Sequence, residues 1–345
     1  MQEPQKILLI RLSSIGDILL TTPLLRLLHR RFPQAQIDFV VKEQFRDLLR
    51  CDPAIGTLYT LASRAGFSGL TALRAELHAQ NYDLVVDVHN NWRSRFLCLG
   101  LKGGRVVRYR KYAWQRFLLI RAKIDKYPGE IPVHRRYLDT VRDWGIADDG
   151  QGLQIALDPT DRQQVQLVLQ QNGYRLDELQ LGFAPGAGMP TKIWPAEYFA
   201  LLAERCLRQA NVRIWLFGNQ ADRDAAERIC RVHPDRIVDM TGKFTLMQTS
   251  CALAAMQGLV CNDSGLMHLA TAVKCPVLAI FGPTTRQFGF YPQGSQVKVI
   301  EHEHLDCRPC SAYGSKRCPR NHFRCMREID PLRVYEMVEP FFHLI

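Results

Sequence analysis

The sequence predicts an α/β protein of two doubly wound domains with parallel strands, followed by a C-terminal helix. Short apolar runs alternate with amphipathic segments, and this alternation stops and restarts near the middle of the chain. With 345 residues, the chain is long enough for about two domains, each with its own core. We predict a first domain over residues 1–155, a second over residues 156–330 and a terminal helix over residues 331–345.

The first domain opens with the apolar run Lys6–Arg11, and leucines at helical spacing follow it in Gly16–Phe32. Later apolar runs of this half are each followed by a helical segment, as in a parallel sheet. We predict them as strands: Gln36–Val41, Asp83–Val88 and Arg105–Tyr109. Periodicity is lost around Asp148–Pro159, which we interpret as the link between the domains.

The second domain repeats the pattern. The predicted strands are Leu179–Ala184, Asn211–Phe217, Arg236–Asp239, Gly258–Asn262 and Pro276–Phe281. The predicted helices lie near Pro195–Gln209, Ala221–His233, Leu246–Met256 and Gly265–Val273. The last periodic stretch, Pro331–Phe342, is predicted as the terminal helix.

Positive charge is concentrated in one part of the chain. Lys and Arg number 45 against 34 Asp and Glu, a net charge of +11. The stretch Arg93–Arg142, here called the basic segment, holds 14 basic and 3 acidic residues. The rest of the chain holds 31 basic and 31 acidic residues and is therefore neutral. This local excess predicts an anionic partner: a phosphorylated substrate, a membrane surface or a nucleic acid. Because no apolar run suits a transmembrane helix or a signal peptide, we expect a cytoplasmic protein.

The loop after the first strand is the first candidate for chemistry. It runs from Arg11 to Asp17, at the carboxyl edge where doubly wound sheets bind their ligands. Ser13 or Ser14 is expected to cap the following helix, and Gly16 allows a ligand to approach the backbone. Asp17 is a candidate general base, although a carboxylate in a first helical turn also simply complements the helix dipole.

A matching loop opens the second domain at Pro185–Pro195. Its glycines free backbone N–H groups for a phosphate, and Lys192 adds a positive charge just before a predicted helix. The spacing fits neither a Walker loop nor a GxGxxG fingerprint. An ordinary loop with an exposed lysine therefore remains the alternative.

A third junction, Val260–His268, joins a buried strand to a helix through Asp263, Ser264 and Gly265. The helix N-terminal amides, the Ser264 hydroxyl and His268 converge on one edge that suits a diphosphate. The alternatives are that His268 is a core histidine and Asp263 an N-cap.

Four of the eleven cysteines cluster within residues 307–325: Cys307, Cys310, Cys318 and Cys325. In a reducing cytoplasm such a cluster favours a structural zinc or iron–sulfur site over disulfides. The spacing does not match a standard zinc ribbon, so free thiols in an exposed loop remain the alternative.

Taken together, these motifs resemble the ADP-heptose:lipopolysaccharide heptosyltransferases, which form glycosyltransferase family 9. The resemblance covers nearly the whole chain. Its marks are ILLIRLSSIGDILLTTPLLRLLHRRFP at Ile7–Pro33, PVHRRYLDTVRDWGI at Pro132–Ile146, the PGA…K.W.P loop at Pro185–Pro195 and NDSGLMHLATAVKCPVLAIFGPT at Asn262–Thr284.

The resemblance implies a GT-B architecture, in which two facing Rossmann-like domains hold the acceptor mainly on the first and the nucleotide sugar mainly on the second. It implies inverting transfer from ADP-heptose that requires no metal cofactor. Asp17 would be the general base and Lys192 would stabilise the leaving diphosphate. The implied donor-binding residues are Gly16, Gly186, Ala187, Gly188, Thr191, Asp263, Ser264, Gly265 and His268.

One departure from the family pattern lies in the phosphate loop. Some members carry a Thr-Thr pair where this chain has Ala187 and Gly188, so donor contacts there must come from backbone amides or from Thr191.

The implied acceptor is the lipid A–Kdo inner core of lipopolysaccharide, with Kdo or heptose as the accepting sugar. We expect the basic segment to face its phosphates and carboxylates and the inner membrane's cytoplasmic surface, where the protein would be peripheral. The predicted acceptor contacts are Arg105, Arg108, Arg110, Lys111 and His134.

Two other functions stay open. One is a GT-B transferase with another nucleotide sugar or acceptor. The other is a nucleic-acid-binding protein that uses the aromatic and basic residues of the basic segment. We expect no nucleic acid, because the segment lies inside an α/β domain without a known nucleic-acid fold signature.

Overall fold

The computed structural model describes residues 3–101, 104–208 and 211–343. It divides into two compact units, the first formed by Met1–Lys111 and Ile131–Ala156 and the second by Tyr112–Glu130 and Leu157–Ile345. Each unit contains one parallel β-sheet covered by helices, as the alternation of the sequence predicts.

The strands are numbered in chain order. Those of the first unit are β1 (Lys6–Ile10), β2 (Gln36–Lys42), β3 (Leu58–Leu61), β4 (Leu84–Asp87) and β5 (Arg105–Arg108). Those of the second are β6 (Leu179–Ala184), β7 (Val212–Leu216), β8 (Ile237–Asp239), β9 (Gly258–Asn262), β10 (Val277–Phe281) and β11 (Val297–Glu301).

The α-helices are α1 (Ile15–Leu19), α2 (Thr22–Arg31), α3 (Gly66–His78), α4 (Trp92–Cys98), α5 (Ala113–Arg121), α6 (Val133–Leu138), α7 (Pro159–Gln171), α8 (Ala196–Leu207), α9 (Arg223–Cys230), α10 (Leu246–Leu253), α11 (Gly265–Ala272), α12 (Arg324–Arg327) and α13 (Pro331–Val338). Short 3₁₀ helices span Glu43–Leu48, Asp139–Trp144, Pro190–Lys192, Gln220–Asp222, Arg286–Phe288 and Glu339–His343. Among the described residues, the helices include none that is long and apolar enough to cross a membrane.

Both sheets are doubly wound. The strand order is β3-β2-β1-β4-β5 in the first and β11-β10-β9-β6-β7-β8 in the second, with parallel pairing throughout. The order reverses beside β1 in the first sheet and beside β6 in the second, and ligands of such sheets bind outside the carboxyl ends of the strands at these points. The loops after β1, β6 and β9 therefore carry the candidate sites.

Buried central strands explain why the sheets form. Ile7, Leu8, Leu9 and Ile10 of β1 are fully buried, and every residue of β6, β9 and β10 is buried as well. Continuous apolar runs are typical of parallel strands covered by helices on both faces. The edge strands β3 and β11 were not predicted, because their residues are mostly half-buried and carry no such run.

The described units differ from the predicted division in one segment. Residues 112–130 lie in the predicted first domain but belong with the second unit. Two cations attach them there: Arg116 Nη1 donates to Tyr313 Oη at 2.8 Å, and Lys123 Nζ donates to the carbonyls of Cys307 at 2.9 Å and Pro309 at 2.7 Å.

Candidate active site

The loop after β1 holds Asp17 in a fixed orientation. Ser14 is the N-cap of α1, and the Asp17 carboxylate accepts hydrogen bonds from its N–H at 3.1 Å and its hydroxyl at 2.9 Å. The other carboxylate oxygen of Asp17, Oδ1, lies 2.5 Å from Arg11 Nη2. Ser14 therefore occupies the N-cap position, and its side chain orients the Asp17 carboxylate.

Arg11 is a functional residue that the sequence analysis did not single out. Its guanidinium also donates to the carbonyls of Ser13 at 2.8 Å and Val88 at 2.7 Å, so it ties the β1 loop to the end of β4. Burial alone would raise the pKa of Asp17, but the charge of Arg11 and the hydrogen bonds from Ser14 outweigh burial and lower it. Asp17 is therefore ionised at every physiological pH.

His89, which follows β4, is a second group that sequence reasoning missed. Burial and the positive charges of Arg11 and Lys111 lower the pKa of its imidazole to about 3. Its Nε2 lies 2.7 Å from Asn91 Nδ2. The His89 imidazole is therefore neutral at physiological pH.

A basic groove with aromatic walls lies at the same edge of the first sheet. We call it the β2 groove; its lining includes Lys42, Arg64, Phe67, Trp92 and Arg93. Phe67 and Trp92 are 63% and 60% exposed, and the Arg93 guanidinium lies 5.0 Å from the Trp92 ring centroid. Such a surface suits a sugar that carries carboxylates or phosphates.

The β2 groove adjoins the Asp17 loop through the backbone. The N–H of Lys42, the last residue of β2, donates to the carbonyl of Leu12 at 3.1 Å. Only Arg93 of this groove belongs to the basic segment, and Lys42 and Arg64 come from separate parts of the sequence. Their convergence at one edge could not be deduced from a local charge count.

Two of the predicted acceptor contacts, His134 and Arg105, form ion pairs within the first unit. His134 is only 4% exposed and its Nε2 lies 3.4 Å from Asp148 Oδ2. Arg105 Nη2 pairs with Asp143 Oδ2 at 2.7 Å and its guanidinium stacks on Trp144. The role of both side chains in acceptor binding stays a prediction.

The remaining predicted contacts lie at the end of β5. Arg108 Nε is 3.7 Å from Asp87 Oδ2, Arg110 is exposed and Lys111 is half-buried. Their role in acceptor binding stays a prediction.

In the second unit, the two predicted loops and the end of β10 meet around a buried ion pair. Lys192 Nζ lies 2.8 Å from Asp263 Oδ2, with the side chains 14% and 7% exposed. Thr284 Oγ1 donates to the same oxygen at 2.8 Å. The exposed-lysine alternative is wrong, since Lys192 is held at the sheet edge.

The buried side chain of Asn262 explains why these loops meet. Its Nδ2 donates to the carbonyl of Pro185 at 2.7 Å, and its Oδ1 accepts from the N–H of Trp194 at 3.0 Å. Asn262 therefore holds both ends of the loop that contains Lys192 beside the end of β9.

The helix α11 begins at this ion pair. Ser264 is its N-cap residue and Gly265 its first residue, and the first-turn N–H groups of a helix have no partner within the helix. The Ser264 hydroxyl is buried, and among the described residues no hydrogen-bond partner is present for it. His268, one turn later, is buried at 4% exposure. An anion at this end would meet N–H groups, a hydroxyl and the Lys192 charge.

The loop after β6 is shaped by a close contact with a carboxylate. A Cβ on Gly186 would lie 2.2 Å from Asp222 Oδ1, so any larger residue there would displace the Asp222 carboxylate. Ala187 is half-buried, and Gly188 is exposed with open space around it. The Thr191 hydroxyl accepts from the Ser315 N–H at 2.7 Å and donates to the Ser315 carbonyl at 3.0 Å, which fixes this loop to residues 307–325.

Asp222 is a further residue that the sequence analysis missed. It follows β7 at the carboxyl edge, and its Oδ2 accepts from the N–H of Asn219 at 2.8 Å. Burial raises its pKa. An acidic side chain beside a glycine loop is where doubly wound domains bind ribose hydroxyls.

The four clustered cysteines lie within reach of one another's charges. Burial and the neighbouring thiols raise the pKa of Cys310, and burial with Cys310 raises that of Cys325 to about 12. Cys307 Sγ is 3.8 Å from His322 Nε2. Over the described part of the chain, however, no three metal-ligating side chains are arranged to hold an ion. The positions as they stand do not form a ligand set, and the metal stays a prediction.

Two doubly wound parallel-sheet units of this kind match the GT-B fold of glycosyltransferases. The glycosyltransferase family 9 (heptosyltransferase) model matches residues 70–319, and the chain belongs to that family.

Whole-chain relatives agree with this assignment. The chain is 28% identical to the lipooligosaccharide heptosyltransferase 2 of Haemophilus influenzae, over 88% of this chain and 91% of that protein. A family 9 glycosyltransferase of Veillonella parvula matches with a TM-score of 0.83 and 23% identity, over 99% and 98% of the two chains. The Escherichia coli heptosyltransferase WaaC with ADP-2-deoxy-2-fluoro heptose matches with a TM-score of 0.69 and 21% identity, over 97% and 99%.

Proposed function

We propose that this enzyme transfers L-glycero-D-manno-heptose from ADP-heptose to the inner core of a lipopolysaccharide precursor, with inversion at the anomeric carbon. The observation that carries the proposal is the edge of the second sheet, where buried Lys192 lies at the N-terminus of α11. The names of its relatives, a lipooligosaccharide heptosyltransferase and a heptosyltransferase bound to an ADP-heptose analogue, support both substrates.

The donor diphosphate would bind to Lys192, the Ser264 hydroxyl and the first N–H groups of α11. These groups neutralise an anion through a side-chain charge and a helix dipole, so the proposed reaction requires no metal cofactor. The Asp263 carboxylate repels phosphate but accepts hydrogen bonds from sugar hydroxyls, and it holds Lys192 in place. Asp222 would accept hydrogen bonds from the ribose.

Asp17 would act as the general base. The acceptor hydroxyl oxygen attacks the anomeric carbon of heptose, its proton passes to Asp17, and the bond from that carbon to the diphosphate oxygen breaks. Because the lowered pKa makes Asp17 a weak base, the proton moves as the attack makes the hydroxyl acidic. The departing ADP carries the negative charge that Lys192 stabilises.

The acceptor would lie in the β2 groove beside Asp17. Lys42, Arg64 and Arg93 supply charge for its carboxylates or phosphates, and Trp92 and Phe67 supply exposed ring faces. The end of β5, with Arg108, Arg110 and Lys111, would extend this positive surface. We place the enzyme at the cytoplasmic face of the inner membrane, as a peripheral protein, because the proposed acceptor is a lipid.

Transfer from ADP-heptose to defined, truncated inner-core acceptors, detected by mass spectrometry, tests the proposal. We expect a mass gain of one heptose on an acceptor that ends in Kdo or in heptose. Failure on every such acceptor would overturn the assignment. Calorimetry with ADP, UDP and GDP then tests the alternative of another nucleotide sugar, and we expect ADP to bind most tightly.

A further inference from the structure

The second unit carries an exposed aromatic and basic surface that the proposed function does not use. We call it the α5 surface; it is made by residues 112–130 and by residues 313–320 of the loop with the clustered cysteines. Helix α5 has the sequence AWQRFLLIR, yet Leu119 is its buried residue. Trp114, Phe117 and Tyr313 are 65%, 52% and 56% exposed. Several large apolar side chains exposed together mark an interaction site.

The aromatic residues of this surface contact one another or Arg116. The rings of Trp114 and Phe117 stack at 5.6 Å with an interplanar angle of 17°. Arg116 lies between them in the sequence, with its guanidinium 5.4 Å from the Tyr313 ring centroid and a hydrogen bond to the Tyr313 hydroxyl. The two hydrogen bonds of Lys123 fix the rest of the segment to the same loop.

Positive side chains surround the aromatic residues. Exposed cations on residues 112–130 are Arg121 and Lys126, and those on the adjoining loop are Lys316, Arg317 and Arg320. Within the described residues, none of these five cations forms a salt bridge with a carboxylate. Their charge is therefore available to an anionic partner.

We propose that the α5 surface binds the anionic face of a phospholipid bilayer. Indole and phenyl rings partition to the boundary between headgroups and acyl chains, while Lys and Arg are attracted to anionic lipids within a Debye length. The rings of Trp114 and Phe117 each have one face covered by the other, which leaves less ring surface for stacking on nucleic-acid bases. The proposal rests on the proposed function in one respect: a lipid acceptor gives the enzyme a reason to bind the bilayer.

Sedimentation with vesicles tests this, using the whole protein without donor or acceptor. We expect binding to phosphatidylglycerol-containing vesicles and little to pure phosphatidylcholine. Trp114→Ser with Phe117→Ser should weaken binding at least about tenfold, and each of Arg121→Gln, Lys126→Gln and Arg317→Gln about fivefold at low salt. The matched controls are Leu176→Ser and Leu201→Ser for exposed apolar groups, and Arg208→Gln and Arg231→Gln for exposed charges. These four should leave binding unchanged.

Brominated lipids give a second measurement that does not depend on multiple substitutions. They should quench part of the tryptophan fluorescence of the wild-type protein, and Trp114→Phe should remove that part. Equal binding by the aromatic variant and its controls, or tighter binding to single-stranded RNA than to anionic vesicles, would overturn the proposal. Transfer to a water-soluble truncated acceptor is measured separately, so loss of vesicle binding with intact transfer leaves the proposed function standing.

Discussion

Each unit holds a carboxylate–cation pair at the carboxyl edge of its sheet, but the two pairs have different neighbours. In the first, Arg11 comes from the strand end and holds Asp17, whose second oxygen takes the hydrogen bonds of Ser14. In the second, Asp263 and Thr284 hold Lys192 beside the N-terminus of α11. In the proposed mechanism, the anion of the first pair takes the acceptor proton and the cation of the second pair stabilises the leaving diphosphate.

The groups that surround each ion pair decide which of its two members we assign to the reaction. The Asp17 pair adjoins a cationic groove that suits an anionic acceptor. The Lys192 pair adjoins free helix N–H groups and a buried hydroxyl that suit a phosphate. Variants of each pair should therefore fail in different ways.

The largest effect is expected at Asp17. Asp17→Asn and Asp17→Ala should lower kcat by about 10²–10⁴-fold, because the base is lost. ADP affinity, measured by calorimetry, should stay within about twofold of wild type. Thermal melting checks folding, since both variants leave Arg11 without its carboxylate. A purified Asp17→Ala enzyme with normal turnover would rule Asp17 out as the base.

A slightly smaller loss is expected at Lys192. Lys192→Met should lower kcat/KM by about 10²–10³-fold and weaken ADP binding, since the diphosphate loses its cation. Lys192→Arg keeps the charge and should recover part of both. Unchanged ADP affinity in Lys192→Met would remove Lys192 from the donor site.

The pH dependence of transfer separates the roles of Arg11 and Asp17. The base must be deprotonated, and Asp17 protonates only when the pH falls through its lowered pKa, so wild-type kcat/KM should have no acid limb from this group above about pH 5. His89, with a pKa of about 3, adds none. In Arg11→Gln, only the hydrogen bonds from Ser14 oppose the effect of burial on the pKa of Asp17, so the acid limb should move upward. Arg11→Lys keeps the charge and should shift it less. An acid limb at the same pH in all three enzymes would contradict this assignment.

The smallest effect is expected at Thr284. Thr284→Val removes one hydrogen bond to Asp263 and should raise the donor KM by at most about tenfold, with kcat nearly unchanged. Thr284→Ser keeps the hydroxyl and is the matched control. Equal donor KM values for the two variants would show that the hydroxyl does not position Asp263.

Local patterns in the sequence were sufficient to predict most of the fold. Runs such as KILLI at β1 and GLVCN at β9 predict buried parallel strands on their own. The edge strands β3 and β11 have half-buried residues and short mixed sequences, so hydrophobicity cannot separate them from loops. The attachment of residues 112–130 depends on hydrogen bonds of Arg116 and Lys123 to a loop far along the chain.

The candidate site, like the fold, contains residues that local sequence patterns indicate and residues that only the folded structure brings together. Asp17, Lys192 and Asp263 could be proposed from the sequence because each lies in the junction that follows an apolar strand, and the carboxyl ends of parallel strands share one edge. Arg11 continues its strand in sequence and shows its function only when Asp17 folds back on it. Asp222 gave no signal until the structure brought it against Gly186, although an acidic residue soon after the second strand of such a domain could have prompted a search.

Calorimetric titration of ADP into Asp17→Asn and Lys192→Met, side by side with wild type, tests the central claim most directly. If Asp17 serves the acceptor and Lys192 the donor, the dissociation constant of ADP should be unchanged in Asp17→Asn and at least tenfold higher in Lys192→Met. Equal weakening in both variants, or a larger loss in Asp17→Asn, would contradict it.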